Sequence, residues 1–263
     1  MAKFLDASEF TAKEPKALPV ILLLDTSDSM NIITDPSAIT HDTGQIEIRD
    51  GHRVRIVEGG TTRIAVLNKC VKDMLAAFAN FEKEGTELLI SIITFGKDTR
   101  LFVTPTTAAE VRCPDLEADN ETPLGKGLEI AKDLIENSGR IPSGSYRPLV
   151  VLVSDGRPND DWEGRLADFI QNGRSSKCDR MALAISKEAD RKMLARFIEG
   201  TTHTVQEADT AEQITTFFNF VTSSTLTRTT SKNPNEIPPD ASIQLMMKHS
   251  SKTDEDDDGE TIY

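Results

Sequence analysis

Four short, almost unbroken apolar runs punctuate the chain: Val20–Leu24 in "PVILLLDTSDSM", "TELLISIITF" (Thr86–Phe95), "RPLVVLVSD" (Arg147–Asp155) and "RMALAIS" (Arg180–Ser186). Runs of this length without polar alternation suit strands buried on both faces. A fifth, weaker run is "HTVQ" (His203–Gln206). Helical periods lie between them. In "RIAVLNKCVKDMLAAFANF", Ile64, Leu67, Val71, Leu75 and Phe78 share one face. "PLGKGLEIAKDLIEN" opens on Pro123 and puts Leu128, Ala131, Leu134 and Ile135 on a face. "DDWEGRLADFIQN", "ADRKMLARFIEG" and "TAEQITTFFNFVTSS" complete the set. Strands alternating with helices predict an α/β fold: a doubly wound, mostly parallel central sheet with helices on both faces. "TRLFVT" (Thr99–Thr104) follows the turn signal Gly96-Lys97-Asp98 and predicts one antiparallel edge strand.

Two segments break this rhythm. Residues 31–62 make a long connection where a short one would do. Within it, "QIEIRDGHRVRIV" alternates Ile46 and Ile48, then Val54 and Ile56, about Asp50-Gly51, which signals a hairpin. The last 37 residues carry Pro234, Pro238, Pro239 and the run "DEDDDGE", a composition expected of a largely disordered acidic tail. The expected organisation is an N-terminal extension at 1–16, one domain at 17–226 with a hairpin-containing insertion at 31–62, and the tail at 227–263.

Charge narrows the partners. The net charge is −13, of which the tail supplies −4 and the body −9. Nucleic acid and anionic membrane are poor partners for such a chain; a bound cation or a protein fits better. The three cysteines (Cys70, Cys113, Cys178) have no paired or metal-ligand spacing, as expected in a reducing compartment. The start, "MAKFLDASEF", lacks the charged-then-apolar order of a signal peptide, and no apolar run nears the ~18 residues of a membrane span. A cytoplasmic protein is expected.

Ligands of open α/β sheets bind beyond the carboxyl ends of the strands. Asp25, Ser27 and Ser29 follow the first strand, Asp155 follows "LVVLVS", and Thr122 lies in the loop "ADNETPLGKG" before a helix. Hydroxyl and carboxylate oxygens suit a hard cation such as Mg²⁺, with Mn²⁺ and Ca²⁺ also open. Each group has a plainer reading. "DTSDS" suits a turn and helix cap, Thr122-Pro123 an N-cap with Pro at the first helical position, and Asp155-Gly156 a turn.

Taken together, "DTSDS", Thr122 in "ETPLG" and Asp155 in "SDG" resemble the metal-ion-dependent adhesion site (MIDAS) of von Willebrand factor type A (VWA) domains. The resemblance covers roughly residues 17–226. "LPVILLLDTSDSM" and "ISIITFG" are most similar to the bacterial tellurium-resistance TerY-like group. It implies that Ser27, Ser29 and often Thr122 bind the metal directly, that Asp25 and Asp155 act through water, and that a partner's acidic side chain fills the last position. It also implies a non-catalytic interaction module in a stress-response or defence setting, beside a kinase and a phosphatase. Asp28 departs from the pattern: many relatives have Gly there.

Two rival readings stand. A phosphoryl-transfer enzyme would use Asp25 as nucleophile, but the second Asp expected two residues on is Ser27, and no convincing downstream Lys and Gly-Asp pair follows. A scaffold would act through the tail. His41, His52, His203 and His249 are scattered and read as surface or core residues, and Trp162 as a packing residue on its helix.

Overall fold

A computed structural model describes residues 16–49, 52–81, 86–119, 121–236 and 261–262. The elements run in chain order as β1 (Lys16–Thr26), β2 (Ile33–Arg49), β3 (His52–Thr62), α1 (Arg63–Ala79), β4 (Thr86–Gly96), β5 (Arg100–Thr107), α2 (Leu124–Glu136), β6 (Leu149–Ser154), α3 (Trp162–Gln171), β7 (Asp179–Ile185), α4 (Arg191–Phe197), β8 (Gln206–Ala208), α5 (Ala211–Thr230) and β9 (Thr261–Ile262). Short 3-10 turns occupy Asp28–Asn31 and Ser175–Lys177.

Six strands form the central sheet in the order β5-β4-β1-β6-β7-β8. All neighbours are parallel except the edge pair β4–β5. The chain builds outward from β1 to β4 and β5, then returns through α2 to place β6 on the other side of β1. The crevice between the ends of β1 and β6 is therefore the topological switch point, where such sheets bind ligands.

Alternation within β1 splits the core in two. Leu18, Val20, Leu22 and Leu24 face a cluster with α1 and α5, through residues such as Leu67, Phe78, Phe217 and Val221. Ile21 and Leu23 face a second cluster with α2, α3 and α4, through Leu128, Phe169 and Phe197. These β1 side chains are fully buried, each worth roughly 1.5–3 kcal/mol. The strand that carries Asp25 is thus clamped on both faces.

The insertion forms a separate three-stranded sheet in the order β2-β3-β9. Its antiparallel strands pair from Ile33↔Thr62 at the base to Arg49↔His52 near the tip; the expected turn, Asp50-Gly51, lies outside the described residues. The hairpin is longer than the alternation alone suggested, because polar residues on an exposed ladder carry no hydrophobic period. Ile46 and Ile48 are exposed on it. β9, from the C-terminal end, pairs in parallel with β3 at Val54↔Thr261 and Arg55↔Ile262.

Two expectations shift. The last strand of the central sheet is Gln206–Ala208 rather than His203–Gln206, since His203 turns inward and its Nε2 lies 3.1 Å from Oδ2 of Asp179. The final helix continues past residue 226 to Thr230. There Arg228 is buried, donating from Nε to Pro234 O at 2.8 Å and from Nη2 to Arg147 O at 2.7 Å, while Arg147 N donates to Oδ1 of Asn235 at 2.7 Å. Residues 227–235 accordingly pack on the body. The acidic run and His249 lie outside the described residues.

Candidate metal centre

β1 ends in the switch-point crevice, and its last carboxylate is wholly enclosed. Asp25 is 0% exposed. Its Oδ1 accepts from Ser27 N at 2.9 Å, an Asx turn that starts the loop, and its Oδ2 accepts from the Ser154 hydroxyl at 2.7 Å. Although Asp25 ends its strand at the rim, it does not stand at the surface: the neighbouring strand end closes over it. Next door, the Ser29 hydroxyl donates to Oδ1 of Asp155 at 2.7 Å, and the hydroxyls of Ser27 and Ser29 lie 3.1 Å apart. Hydrogen bonds thus join Asp25, Ser27, Ser29 and Asp155.

Close packing of strand ends holds this loop. A Cβ on Gly96, paired with Thr26, would fall 2.5 Å from both Thr26 O and Oγ1, so only glycine lets β4 approach here. The long β5–α2 connection crosses above: Asp119 N donates to Thr26 O at 2.9 Å, and Asn31 Nδ2 donates to Ala118 O at 3.1 Å. Asn31 also donates to Oδ1 of Asp28 at 3.2 Å, which engages the extra carboxylate of the loop.

That connection delivers Thr122. Its carbonyl accepts from Leu124 N at 2.9 Å and from Asn159 N at 3.2 Å, which ties it to the loop after β6. Thr122 is not the helix cap: α2 starts at Leu124 after Pro123, without a side-chain cap from either. Asp160 fills that role from across the crevice, with Oδ1 accepting from Gly125 N and Oδ2 from Lys126 N, both at 3.0 Å. Among the described residues the Thr122 hydroxyl makes no hydrogen bond. An ideal Cβ on Gly156 would stand 3.6 Å from Oγ1 of Thr122 and 3.8 Å from Oγ of Ser29. All five expected residues therefore gather at one rim.

Three further residues complete the arrangement and escaped the motif. Ser154 is the hydroxyl donor to Asp25, Asp160 positions the Thr122 loop, and Arg63 places its Nη1 2.9 Å from Oδ2 of Asp155. Ser154 and Asp160 sit beside Asp155 in sequence and were within reach of a wider window. Arg63, at the start of α1, carried no such signal.

The electrostatics follow from enclosure. Burial, then the neighbouring Asp155 charge, pushes Asp25 up to about 7, against the pull of its hydrogen bonds from Ser27 and Ser154. Burial also raises Asp155, opposed chiefly by the Arg63 charge and by the Ser29 hydroxyl. Burial is the largest cause of the rise at both carboxylates, and of the two Asp155 has the Arg63 charge beside it.

The donor set suits a hard divalent cation. Where the hydroxyls of Ser29 and Ser154 give their protons to carboxylates, their lone pairs stay available; every atom in the cluster is oxygen. Among the described residues no three His, Cys, Asp or Glu side chains group as metal ligands. The five expected residues bring two carboxylates, Asp25 and Asp155, and three hydroxyls.

Solved structures share this architecture. A von Willebrand factor type A protein from Catenulispora acidiphila matches with a TM-score of 0.52 at 14% identity, over 80% of this chain and 42% of that one. The fold is that of a VWA domain. Proximal thread matrix protein 1 from the mussel byssus, solved with zinc in its MIDAS motif, matches with a TM-score of 0.51 at 11% identity, over 81% of this chain and 48% of that one. The PilB minor pilin of Streptococcus sanguinis matches with a TM-score of 0.53 at 11% identity, over 81% and 62%. The chain spans less than half the length of the first structures it matches, 43%, 48% and 42% of them. At these identities the likeness is one of fold. No family model matches the sequence, and no curated protein matches it significantly. Among the described residues no helix is long and apolar enough to cross a membrane.

Proposed function

We propose that this chain is a non-catalytic protein-interaction module that captures an acidic side chain of its partner through a divalent cation at the β1/β6 crevice. The observation that carries the reading is the hydrogen-bonded cluster of Asp25, Ser27, Ser29 and Asp155 with the Thr122 hydroxyl beside it. Ser27, Ser29 and Thr122 would hold the ion; Asp25 and Asp155 would act through water, holding the hydroxyls in orientation. Mg²⁺ is the preferred candidate, with Mn²⁺ and Ca²⁺ as alternatives. When bound, such an ion supplies a Lewis-acidic position for a carboxylate.

The exposed hairpin beside the site, with Ile46 and Ile48 outward, is a natural second contact for the partner. A cytoplasmic, TerY-like stress-response role near a kinase or phosphatase rests on sequence resemblance alone. The phosphoryl-transfer alternative has less support: Asp25 is buried and held by Ser27 N and the Ser154 hydroxyl, an arrangement that suits orienting neighbouring groups better than direct attack on a phosphate.

Calorimetric titration with Mn²⁺ and Mg²⁺ tests the reading. One site per chain is expected, lost in Ser29→Ala and weakened in Thr122→Ala. Absence of saturable binding in the parent chain would remove the proposal.

A further inference from the structure

We infer that Arg63 is a resident counter-cation of this site: it holds Asp155 when no metal is bound, yields it to an incoming divalent cation, and ties that exchange to the hairpin. The inference rests on the metal reading above and adds the residue that tunes it.

Geometry comes first. Arg63 is the first residue of α1, directly after β3. Its Nη1 donates to Oδ2 of Asp155 at 2.9 Å and reaches Ser29 O at 3.4 Å. The Arg63 side chain is 10% exposed and that of Asp155 is 0%. One guanidinium therefore touches two of the five expected metal residues from inside the protein. A helix start has no general need for a buried arginine; Thr62 already caps α1 by accepting from Ala65 N.

Charge gives the contact its meaning. Asp25 and Asp155 are both buried, and among the described residues Arg63 is the cation placed on either of them. With Arg63 in place the trio carries at most one net negative charge. A divalent ion entering beside Asp155 meets that fixed positive charge in a poorly solvated crevice, where like charges repel far more than in water. Arg63 thus lowers cation affinity while offsetting the buried charge of Asp155. A site tuned this way holds its ion more firmly once an acidic partner adds another negative charge.

The backbone links this exchange to the hairpin. Arg63 N donates to Ile32 O at 2.9 Å, and Ile33 pairs with Thr62, so the two feet of the hairpin are bonded together. One foot follows Ser29 by three residues; the other is Arg63 itself. Anything that shifts the hairpin acts on both sides of the crevice. By linkage, cation binding and hairpin binding then favour one another or oppose one another to the same degree.

The test is Mn²⁺ calorimetry at pH 7.5 on the full chain, Arg63→Gln and Arg63→Lys, with circular dichroism as the folding control. Arg63→Gln should bind at least about tenfold tighter, and Arg63→Lys, which keeps the charge, should stay within about threefold of the parent. A brace with no electrostatic part predicts equal or weaker binding in Arg63→Gln, which would overturn the inference. Should Arg63→Gln fail to fold, the parent chain still decides. The Arg63 guanidinium resonances, followed by ¹⁵N NMR, must move and lose protection from solvent exchange as Mg²⁺ saturates the site. Saturation that leaves them unchanged overturns the inference and spares the metal reading. No saturable binding in any variant overturns both.

Discussion

Nη1 of Arg63 stands 2.9 Å from Oδ2 of Asp155, across a sequence separation of 92 residues. The pair joins the start of α1 to the end of β6 inside the crevice where Ser27, Ser29 and Thr122 also gather. It brings a permanent cation to a rim whose other groups are all oxygen. It also sets one buried cation against two buried carboxylates, and the predictions below probe that balance of charge.

Replacing Asp25 with the isosteric Asn should separate stability from cation binding. The Ser27 N–H keeps an oxygen acceptor, and the Ser154 hydroxyl can accept from the new amide. Meanwhile a buried charge is removed beside Asp155. In EDTA at pH 8, Asp25→Asn should melt about 2–6 °C above the parent. The rise in melting temperature that Mg²⁺ gives the parent should vanish. Thermal melts of both proteins with and without Mg²⁺ read both effects; a variant still stabilised by Mg²⁺ would remove Asp25 from the site.

The cation-free chain should grow less stable as pH rises from about 4 to 7. Asp25 is raised to about 7 from an ordinary 3.8, so between those values the folded state binds the proton that the unfolded state releases. Its contribution is complete below pH 3.8 and is lost as pH climbs through 7; Asp155 is shifted in the same direction. Urea unfolding in EDTA at a series of pH values should show the decline, and saturating Mg²⁺ should flatten it. A cation-free profile that is flat or rises over this range would contradict the shift.

Asp160→Ala should loosen the Thr122 loop without touching the oxygen cluster. The two N–H groups at the start of α2 lose their acceptor, at a cost of about 1–2 kcal/mol. Mn²⁺ affinity should fall several-fold because Thr122 loses its support. Full affinity alongside the stability loss would show that Thr122 is positioned by other means.

Exchanging residues 34–58 for a short Gly-Ser linker should leave the central sheet standing. The base of the hairpin stays closed by Arg63 N on Ile32 O, and Thr34 contributes only an exposed hydrogen bond to Asp209 O at 3.2 Å. The stability change should be no more than about 1–2 kcal/mol, with cation affinity retained within about threefold. Unfolding of the whole chain would show that the hairpin belongs to the core fold instead.

How much of this was legible follows from the range of each signal. The strands β1, β4, β6 and β7 were readable because a strand buried on both faces must be apolar at nearly every position, which any window of eight residues reveals. The helices were readable from their period, and β5 from the turn before it. The two-carboxylate, three-hydroxyl set was readable as a pattern because strand ends in such a sheet point to one rim. The short β8 and the full hairpin ladder were misjudged at their edges, since backbone pairing there is independent of side-chain hydrophobicity. The end of α5 was placed too early because its last turns are held by Arg228, whose carbonyl partners leave no trace in the local sequence. Enclosure of Asp25 was missed for a similar reason: the Ser154 hydroxyl that covers it comes from a different strand. The sequence by itself determined the layered α/β architecture and the chemistry offered at the rim, because both rest on local periodicity and composition. Only the tertiary structure decided that Arg63 answers Asp155 and that Asp160, not Thr122, caps α2, because those contacts arise when distant strand ends and helix starts are packed side by side.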